Sequence, residues 1–400
     1  MNNSMKIMVC ADVATYKIAD QVDAEYCKPL LRDMKPILEE ADFRIANLEC
    51  VLCDEGIGGP IVKSGPALRG EVKNAAFLQA AGIDCAAIAN NHLGDMSEPA
   101  VHATIELLDK LNIAHLGGGV NIEDAYRAWY AEKNGLRVAF IAVCENEFGG
   151  ATATKAGSAV FNLKRLCDRI AEEKATSDFV VVLFHGGNEY DPVPSPETID
   201  RYRLIADMGA DAVVAAHTHC MQGFETYRDK PIVYSMGNFF FPYLYKDGAK
   251  ERDPWNFGYM TELTIERGKN ITFRVIPYEL KDGNTFLHAM DGEEKQTILN
   301  YLDKLSAIIQ DPAEVKRLFE AWCTKSGVGY ATRALAHRDE FLADDKDEDT
   351  AKSQAALKNL FWCESHDALM RGLLMLEYEG RVEEARASLP ELLELQIIPR

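Results

Sequence analysis

Short apolar runs alternate with segments of helical period over the first two thirds of this 400-residue chain. This alternation is typical of βα units, in which helices connect the strands of a largely parallel sheet. Predicted strands cover residues 6–11, 43–47, 85–89, 138–143, 179–184 and 212–216. The clearest helices are predicted over residues 27–40, 71–81, 97–111, 163–174 and 196–208. The sequence therefore predicts an α/β fold.

Beyond residue 223 the pattern changes to strands, which we predict over residues 223–227, 231–235, 258–265 and 271–278. These strands indicate a second, antiparallel sheet or a sheet edge. From about residue 281 the period is helical, apart from the acidic run 344–349, which we interpret as a solvated loop. Phe361, Trp362 and His366 are interpreted as packing residues of that region. We therefore predict a domain over 1–280 and a helical appendage over 281–400.

Composition limits the classes of partner. The formal charge of −20, without a Lys/Arg-rich run, argues against binding to nucleic acid or to an anionic membrane surface. The ten cysteines form no disulfide-like framework, and the CxxC pair Cys50 and Cys53 has no second pair to complete a zinc site. No signal peptide or membrane-spanning segment is recognised. We therefore expect a soluble, cytoplasmic protein.

Polar residues of the kinds that bind metals follow five of the predicted strands. They are Asp12, Glu49, Asn91 with His92, His185, and His217 with His219. In open α/β sheets the crevice at the carboxyl ends of the strands binds ligands, so these residues can converge there. A mixture of Asp, Glu, Asn and His suits one or two divalent ions of manganese, iron or zinc. The sequence therefore predicts a metal site at this edge.

Each of these residues taken alone has an ordinary structural explanation. Asp12 could cap a turn, Glu49 could pair with a lysine, and Asn91 could bond to loop backbone. A histidine at the end of a buried strand could be a neutral core residue. The pair His217 and His219 is better evidence, because residues two apart in an extended segment project to the same side. Agreement among five strand ends favours the metal interpretation.

A resemblance to a known family makes the prediction more specific. Residues 5 to about 240 contain, in order, the blocks CADVAT, IANLEC, KSGP, AIANNHLGD, VLFHGGNEY, VVAAHTHCMQ and IVYSMGNFFF. This set resembles the CapA-like poly-gamma-glutamate capsule biosynthesis family, which is related to the calcineurin-like metallophosphoesterases. The resemblance implies a four-layer α-β-β-α fold with a dimetal centre.

The resemblance also implies roles for individual residues. Six would be metal ligands: Asp12 and His219 at the first metal, Glu49 bridging both metals, and Asn91, His185 and His217 at the second. His92 would be the catalytic general acid toward the leaving oxygen. Ala14 stands where classical members have a histidine, which implies a weaker or empty first site.

Five further residues are candidates for supporting or substrate-binding roles. Asp95 and Glu189 could orient an imidazole, although a solvated loop charge is the alternative for both. Asn238 could contact substrate or cap a turn. Lys63 and Ser64 could supply an anion contact, although a lysine in a Gly/Pro-rich loop is more often exposed and solvated.

Three functions remain open from the sequence. The first is a metal-dependent hydrolase that acts on a phosphoester or related anionic bond, and His92 favours it because metal binding alone does not require a proton donor. The second is a capsule or exopolymer biosynthesis or binding factor without phosphatase turnover. The third is a metal-stabilised scaffold. The expected partner is an anionic small molecule or polymer, and the oligomeric state does not follow from the sequence.

Overall fold

A computed structural model gives the architecture, and it describes residues 4–242, 253–281, 283–335 and 347–399. Strands in these ranges are β1 (Ser4–Val13), β2 (Phe43–Leu48), β3 (Val51–Leu52), β4 (Arg69–Gly70), β5 (Cys85–Ala87), β6 (Ala114–Leu116), β7 (Gly118–Gly119), β8 (Trp129–Lys133), β9 (Leu136–Cys144), β10 (Gly157–Ser158), β11 (Phe179–His185), β12 (Ala212–Ala216), β13 (Phe224–Tyr227), β14 (Lys230–Val233), β15 (Asn238–Phe240), β16 (Phe257–Glu266), β17 (Thr272–Lys281) and β18 (Phe286–Ala289).

Helices in the described ranges are α1 (Ala24–Leu30), α2 (Met34–Leu38), α3 (Ala76–Ala81), α4 (Ser97–Lys110), α5 (Ile122–Ala125), α6 (Leu163–Lys174), α7 (Pro196–Asp207), α8 (Gly292–Ile309), α9 (Pro312–Trp322), α10 (Val328–Leu335), α11 (Glu348–Trp362), α12 (Glu364–Glu379), α13 (Val382–Arg386) and α14 (Leu389–Leu395). Short 3₁₀ helices cover Val72–Ala75 and Pro254–Asn256, and a π-helical turn covers Cys323–Gly327.

Two sheets dominate the described residues. The larger has the strand order β18-β17-β16-β1-β2-β5-β6, with β15 also paired to β1. Its strands β1, β2, β5 and β6 run parallel, and β16 to β18 form an antiparallel edge. The second sheet has the order β13-β14-β12-β11-β9-β8, with a parallel centre and antiparallel strands at both edges. The strands after residue 223 therefore extend the edges of both sheets.

The sheets pack face to face, with helices outside them. Phe43 of the first sheet contacts Trp129 of the second, with ring centroids 5.9 Å apart. On the outer side of the first sheet, Phe77 of α3 stacks on Phe240 at 4.8 Å. On the outer side of the second sheet, Tyr202 of α7 packs against Phe184 at 4.9 Å. The predicted four-layer α/β fold is therefore confirmed.

The C-terminal region from Gly292 is helical in its described residues and packs on the sandwich. Strand β18 lies between residue 281 and the first of these helices, so helical structure begins about ten residues after the predicted boundary. The division into domains at residue 280 stays a prediction. The acidic run 344–349 falls partly outside the described residues, and its last two residues begin α11.

Some local predictions were wrong for identifiable reasons. The single helix predicted over 27–40 is two short helices, because Pro36 has no backbone N–H to donate to the preceding turn. Phe361 and Trp362 are 72% and 62% exposed, so their interpretation as buried packing residues is wrong. His366 is buried, as predicted. Among the described residues we find no helix both long enough and apolar enough to span a bilayer.

Candidate metal centre

The predicted metal donors lie at the carboxyl ends of strands from both sheets. Asp12 is near the end of β1, Glu49 directly follows β2, His185 ends β11, and His217 directly follows β12. Asp12 and Glu49 are fully buried. Because parallel strands in each sheet end at the same edge, side chains distant in sequence meet between the two sheets.

One group of donors surrounds the Nε2 atom of His185. Asn91 Oδ1 lies 3.1 Å from this nitrogen, His217 Nδ1 lies 3.0 Å from it, and Glu49 Oε1 lies 3.6 Å from it. Ligands that bind one cation at about 2.0–2.2 Å are separated by similar distances. These four side chains therefore fit a divalent cation.

A second group of donors shares Glu49. Its Oε1 lies 3.7 Å from His219 Nε2, and Asp12 Oδ2 lies 3.8 Å from His219 Nδ1. Asp12, Glu49 and His219 offer ligand atoms within 4.8 Å of one another, and so do Glu49, His185 and His217. Neither carboxylate oxygen of Glu49 has a hydrogen-bond partner among the described residues. A buried carboxylate without partners is costly, so the site fits one or two cations bound through Glu49.

Asn238 determines which nitrogen of His219 faces the centre. Its Nδ2 donates to the carbonyl oxygen of Trp255 at 3.0 Å, which leaves its Oδ1 to accept from His219 Nδ1 at 2.9 Å. The lone pair of His219 is therefore on Nε2, which faces Glu49. The ring of Trp255 packs on the same imidazole, with centroids 4.5 Å apart.

Left-handed backbone conformations orient the side chains of His217 and His219. His217 has φ of 110° and His219 has φ of 55°, and neither lies in a strand. The prediction that an extended segment orients both imidazoles is therefore wrong. Such conformations cost about 1–3 kcal/mol each and persist where the surroundings enforce them. Here His217 N donates to Asp12 Oδ2 at 3.0 Å, which ties the strained loop to a predicted ligand.

Without a cation, burial favours the neutral forms of the ionisable side chains in the centre. Burial, then the charge of Glu49, raises the pKa of Asp12 well above its usual range. Burial, then the charge of Glu189, does the same to the pKa of Glu49. Burial lowers the pKa of His185 to about 4 and that of His217 to about 3. The imidazoles are neutral at pH 7 and can donate lone pairs, while a cation would favour the ionised carboxylates.

His92 lies beside these donors, with its Nε2 3.9 Å from Glu49 Oε1. Its Nδ1 lies 2.6 Å from Asp95 Oδ2, and Lys63 Nζ donates to the other oxygen of Asp95 at 2.5 Å. Asp95 therefore holds the imidazole with Nε2 toward the centre. The side chain of Lys63 is only 4% exposed, so its interpretation as a solvated loop lysine is wrong.

The other predicted residues lie at the margin. Glu189 is half-buried near Glu49, and burial with the charge of Glu147 raises its pKa to about 7. Glu189 makes no hydrogen bond to an imidazole within the described part of the chain. Ser64 is half-buried and has no side-chain hydrogen bond to the described site residues. The structure thus brings ten of the predicted residues together at the centre and leaves these two at its margin.

Comparison with known protein families shows which family the first 240 residues of the chain match. The sequence profile of the family described as bacterial capsule synthesis protein PGA_cap matches residues 6–243. This range is more than half of the chain and contains all six predicted metal ligands.

The chain belongs to the PGA_cap family.

Its curated relatives include proteins of capsule and polymer biosynthesis. Capsule biosynthesis protein CapA of Bacillus anthracis is 31% identical over 219 residues, which are 53% of this chain and 53% of that protein. PGA biosynthesis protein CapA of Bacillus subtilis is 27% identical over 219 residues, covering 54% and 56% of the two chains. A probable polyglutamine synthesis accessory protein of Mycobacterium tuberculosis is 22% identical over 279 residues, covering 66% and 72%. The chain spans about half the length of the two CapA proteins.

Solved structures with similarity to this PGA_cap chain include two enzymes by their descriptions. A novel phosphatase of Mycoplasma pneumoniae has a TM-score of 0.45 at 15% identity, covering 71% of this chain and 97% of that chain. A putative 5'-nucleotidase of Staphylococcus aureus has a TM-score of 0.43 at 14% identity, covering 75% and 58%.

Three residues of the PGA_cap centre were missed by sequence reasoning. Asn47 donates to Asp12 Oδ1 at 2.7 Å, and Asn90 in turn donates to Asn47 Oδ1 at 3.2 Å. Both lie inside the sequence blocks that carry the family resemblance. Glu147 lies with its Oε1 3.6 Å from His217 Nε2. It follows β9, so the rule that polar residues gather at strand ends could have found it.

A cavity of about 450 Å³ lies between the loops of the centre and the C-terminal helices. Its lining on the side of the centre includes Asn188, Glu189 and Cys220. The helical region contributes Lys325, in the π-helical turn, and His366. The C-terminal region thereby forms one wall of the space that adjoins the candidate metal centre.

Proposed function

We propose that this chain is a metal-dependent hydrolase that acts on a phosphoester or a related anionic bond. The observation that carries the proposal is Glu49, a fully buried carboxylate that has no hydrogen-bond partner in the part of the chain that the structure describes and that is shared by two groups of donors. Neither a cation with a purely structural role nor a binding scaffold would require a histidine held toward the same point. Either one or two metal ions satisfy the proposal.

A divalent cation bound there would polarise a phosphoryl oxygen and activate a water molecule for attack. The protein's own residues supply the rest. Asp12, Glu49 and the imidazoles would hold the cation, and all of these side chains are buried. His92 presents Nε2 to the same point while Asp95 orients the ring through Nδ1, which suits proton donation to the leaving oxygen.

The cavity beside the centre is the proposed place for the part of the substrate that does not react. Tyr190 and Trp255 stack with centroids 6.0 Å apart, and Trp255 in turn packs on His219, so an aromatic surface leads from the cavity to a predicted ligand. Lys325 is an exposed cation in the lining, with Nζ 4.4 Å from the ring centroid of Trp322. An anionic group of the substrate could pair with it.

Replacing Lys325 with methionine tests this use of the cavity. We expect KM for a phosphomonoester that carries a second anionic group to rise about fivefold, because an exposed ion pair is worth up to about 1 kcal/mol. We expect kcat to stay near the wild-type value, since the chemistry is at the metal centre. Lys325→Arg is the matched control and should keep the wild-type KM. An unchanged KM in Lys325→Met would remove Lys325 from the substrate site.

A second candidate is a factor in capsule or exopolymer biosynthesis that binds or processes a polymer without phosphatase turnover. The family to which the chain belongs, together with the names of its curated relatives, favours this alternative. Ala14, at the position where classical phosphoesterases have a histidine, also favours it because the first metal site has one donor fewer.

The deciding experiment uses the wild-type protein purified without chelators. We expect one or two equivalents of manganese, iron or zinc by inductively coupled plasma mass spectrometry, together with hydrolysis in a panel of phosphomonoesters and phosphodiesters. Metal without turnover on any ester would support the polymer factor instead. A protein that binds no metal, even after incubation with manganese, would contradict the proposed hydrolase.

A further inference from the structure

The C-terminal helical region contacts the candidate metal centre directly. Asn359 of α11 donates from Nδ2 to Glu147 Oε2 at 3.3 Å, and Lys358 donates to the backbone oxygen of Glu147 at 2.7 Å. Asn359 is 3% exposed and Glu147 is 9% exposed. The other oxygen of Glu147 faces His217 Nε2 at 3.6 Å. A chain of side chains thus runs from the helix to a predicted ligand.

The hydrogen-bond directions along this chain can be assigned from the groups present. His366 Nδ1 lies 3.2 Å from Asn359 Nδ2, and His366 Nε2 lies 3.0 Å from the hydroxyl of Tyr330. The two amide hydrogens of Asn359 therefore reach the carboxylate of Glu147 and the ring of His366. Glu147 Oε2 is thereby occupied, and Oε1 is left toward His217. Nε2 of His217 has no hydrogen-bond partner within 4–242, 253–281, 283–335 and 347–399.

Two other histidines of the centre have a closer carboxylate or amide oxygen on one ring nitrogen. Asn238 accepts from His219 Nδ1, and Asp95 lies beside His92 Nδ1, so each ring has an oxygen on the nitrogen that points away from the centre. Such oxygens fix the tautomer and the orientation of a metal-ligating imidazole. For His217, whose Nδ1 lies in the donor group around His185, the corresponding oxygen is that of Glu147.

We propose that Glu147 and Asn359 are positioning residues, through which the C-terminal helical region holds His217 in the tautomer protonated on Nε2 and so sets metal affinity. This inference rests on the proposed metal centre. It assigns the helical region a part in building that centre as well as in lining the cavity. Glu147 acts through His217, and Asn359 acts through Glu147.

The test compares metal affinity in Glu147→Ala, Glu147→Gln and Asn359→Leu with that of the wild type. Loss of a group that orients a metal-ligating histidine typically weakens metal binding about 10–100-fold, so we expect shifts of this size in the dissociation constant for Mn²⁺ or Co²⁺ in Glu147→Ala. We expect a smaller shift in Asn359→Leu, and recovery toward wild type in Glu147→Gln, whose amide oxygen can still face Nε2–H of His217. Competition with a chromophoric chelator gives the constants.

A second readout separates positioning from a general loss of structure. Long-range ¹H–¹⁵N NMR correlations of the His217 ring report its tautomer, and we expect the Nε2–H form in the wild type and a mixture in Glu147→Ala and Asn359→Leu. The matched control is Phe361→Ala, two residues along the same helix and 72% exposed, which should change neither measurement. Wild-type affinity and tautomer in both Glu147→Ala and Asn359→Leu would overturn the proposal while leaving the proposed function intact. Absence of metal from the wild type would remove both.

Discussion

Replacing Glu49 with glutamine is expected to remove metal from the protein and to lower turnover by about a thousandfold or more. Glu49 belongs to both donor groups, so one substitution weakens every cation site in the centre. Cation stabilisation of a phosphoryl transition state is worth several kcal/mol, and each 1.36 kcal/mol is about tenfold in rate. Metal content by mass spectrometry and kcat/KM on the best ester of the panel are the measurements.

Thermal unfolding gives a readout for Glu49→Gln that does not depend on activity. A ligand that binds only the native state adds about 2.7 kcal/mol to the free energy of unfolding when its concentration is about 100 times its dissociation constant. We therefore expect added Mn²⁺ to raise the Tm of the wild type but not that of Glu49→Gln. Glu262→Gln is the matched control, because Glu262 is also buried and lies on β16 beside β1, where its carboxylate accepts from Arg274. A metal-induced rise of equal size in Glu49→Gln would contradict the shared-ligand assignment.

Replacing His92 with alanine is expected to leave metal in place while turnover falls about 10²–10⁴-fold. This range is typical for loss of a general acid. The expectation follows from Nε2 facing the centre 3.9 Å from Glu49 Oε1, while Nδ1 is held by Asp95. The loss should be greatest for alkyl esters, whose leaving alkoxides need a proton, and smallest for nitrophenyl esters, whose leaving groups are stable as anions.

The dependence on leaving group distinguishes the possible roles of His92. If metal is lost together with activity, His92 is a ligand, and the general-acid assignment is wrong. If alkyl and nitrophenyl esters lose activity equally, the residue contributes to binding or positioning instead. His102→Ala serves as the control, because His102 lies in α4, belongs to neither group of donors, and alanine is favourable in a helix. It should retain wild-type metal content and turnover.

The sequence predicts a helix well when one of its faces is buried, and it predicts a strand well when all of its residues are buried. The helix predicted over 163–174 matches α6, whose N-cap Asn162 accepts from Arg165 N and whose buried face repeats with helical period. The strand predicted over 212–216 matches β12, every residue of which is buried. Strand β8 was missed because WYAEK, at a sheet edge, is mostly exposed and lacks a continuous apolar run. Edge strands carry weaker sequence signals than central ones.

The sequence predicts those residues of the candidate site that lie at the ends of predictable strands. Asp12, Glu49 and His185 each lie at the carboxyl end of a parallel strand, and the strand-end rule that predicts this needs no knowledge of side-chain rotamers. The orientation of His217 and His219 was not predictable, since it depends on left-handed backbone enforced by tertiary contacts. Asn359 has no local signal at all: it meets Glu147 across more than two hundred residues of sequence.

The origin of the donors in both sheets has a consequence for the lifetime of the protein in a cell. A cation held by Asp12 and His219 would join the first strand to a loop some two hundred residues later, and it would therefore act as a noncovalent cross-link across most of the sandwich. Because such a site exists only in the folded chain, the free energy of metal binding is also free energy of folding. We expect metal starvation to shorten the half-life of the protein by exposing it to proteases, so that cellular metal supply would set its abundance as well as its activity.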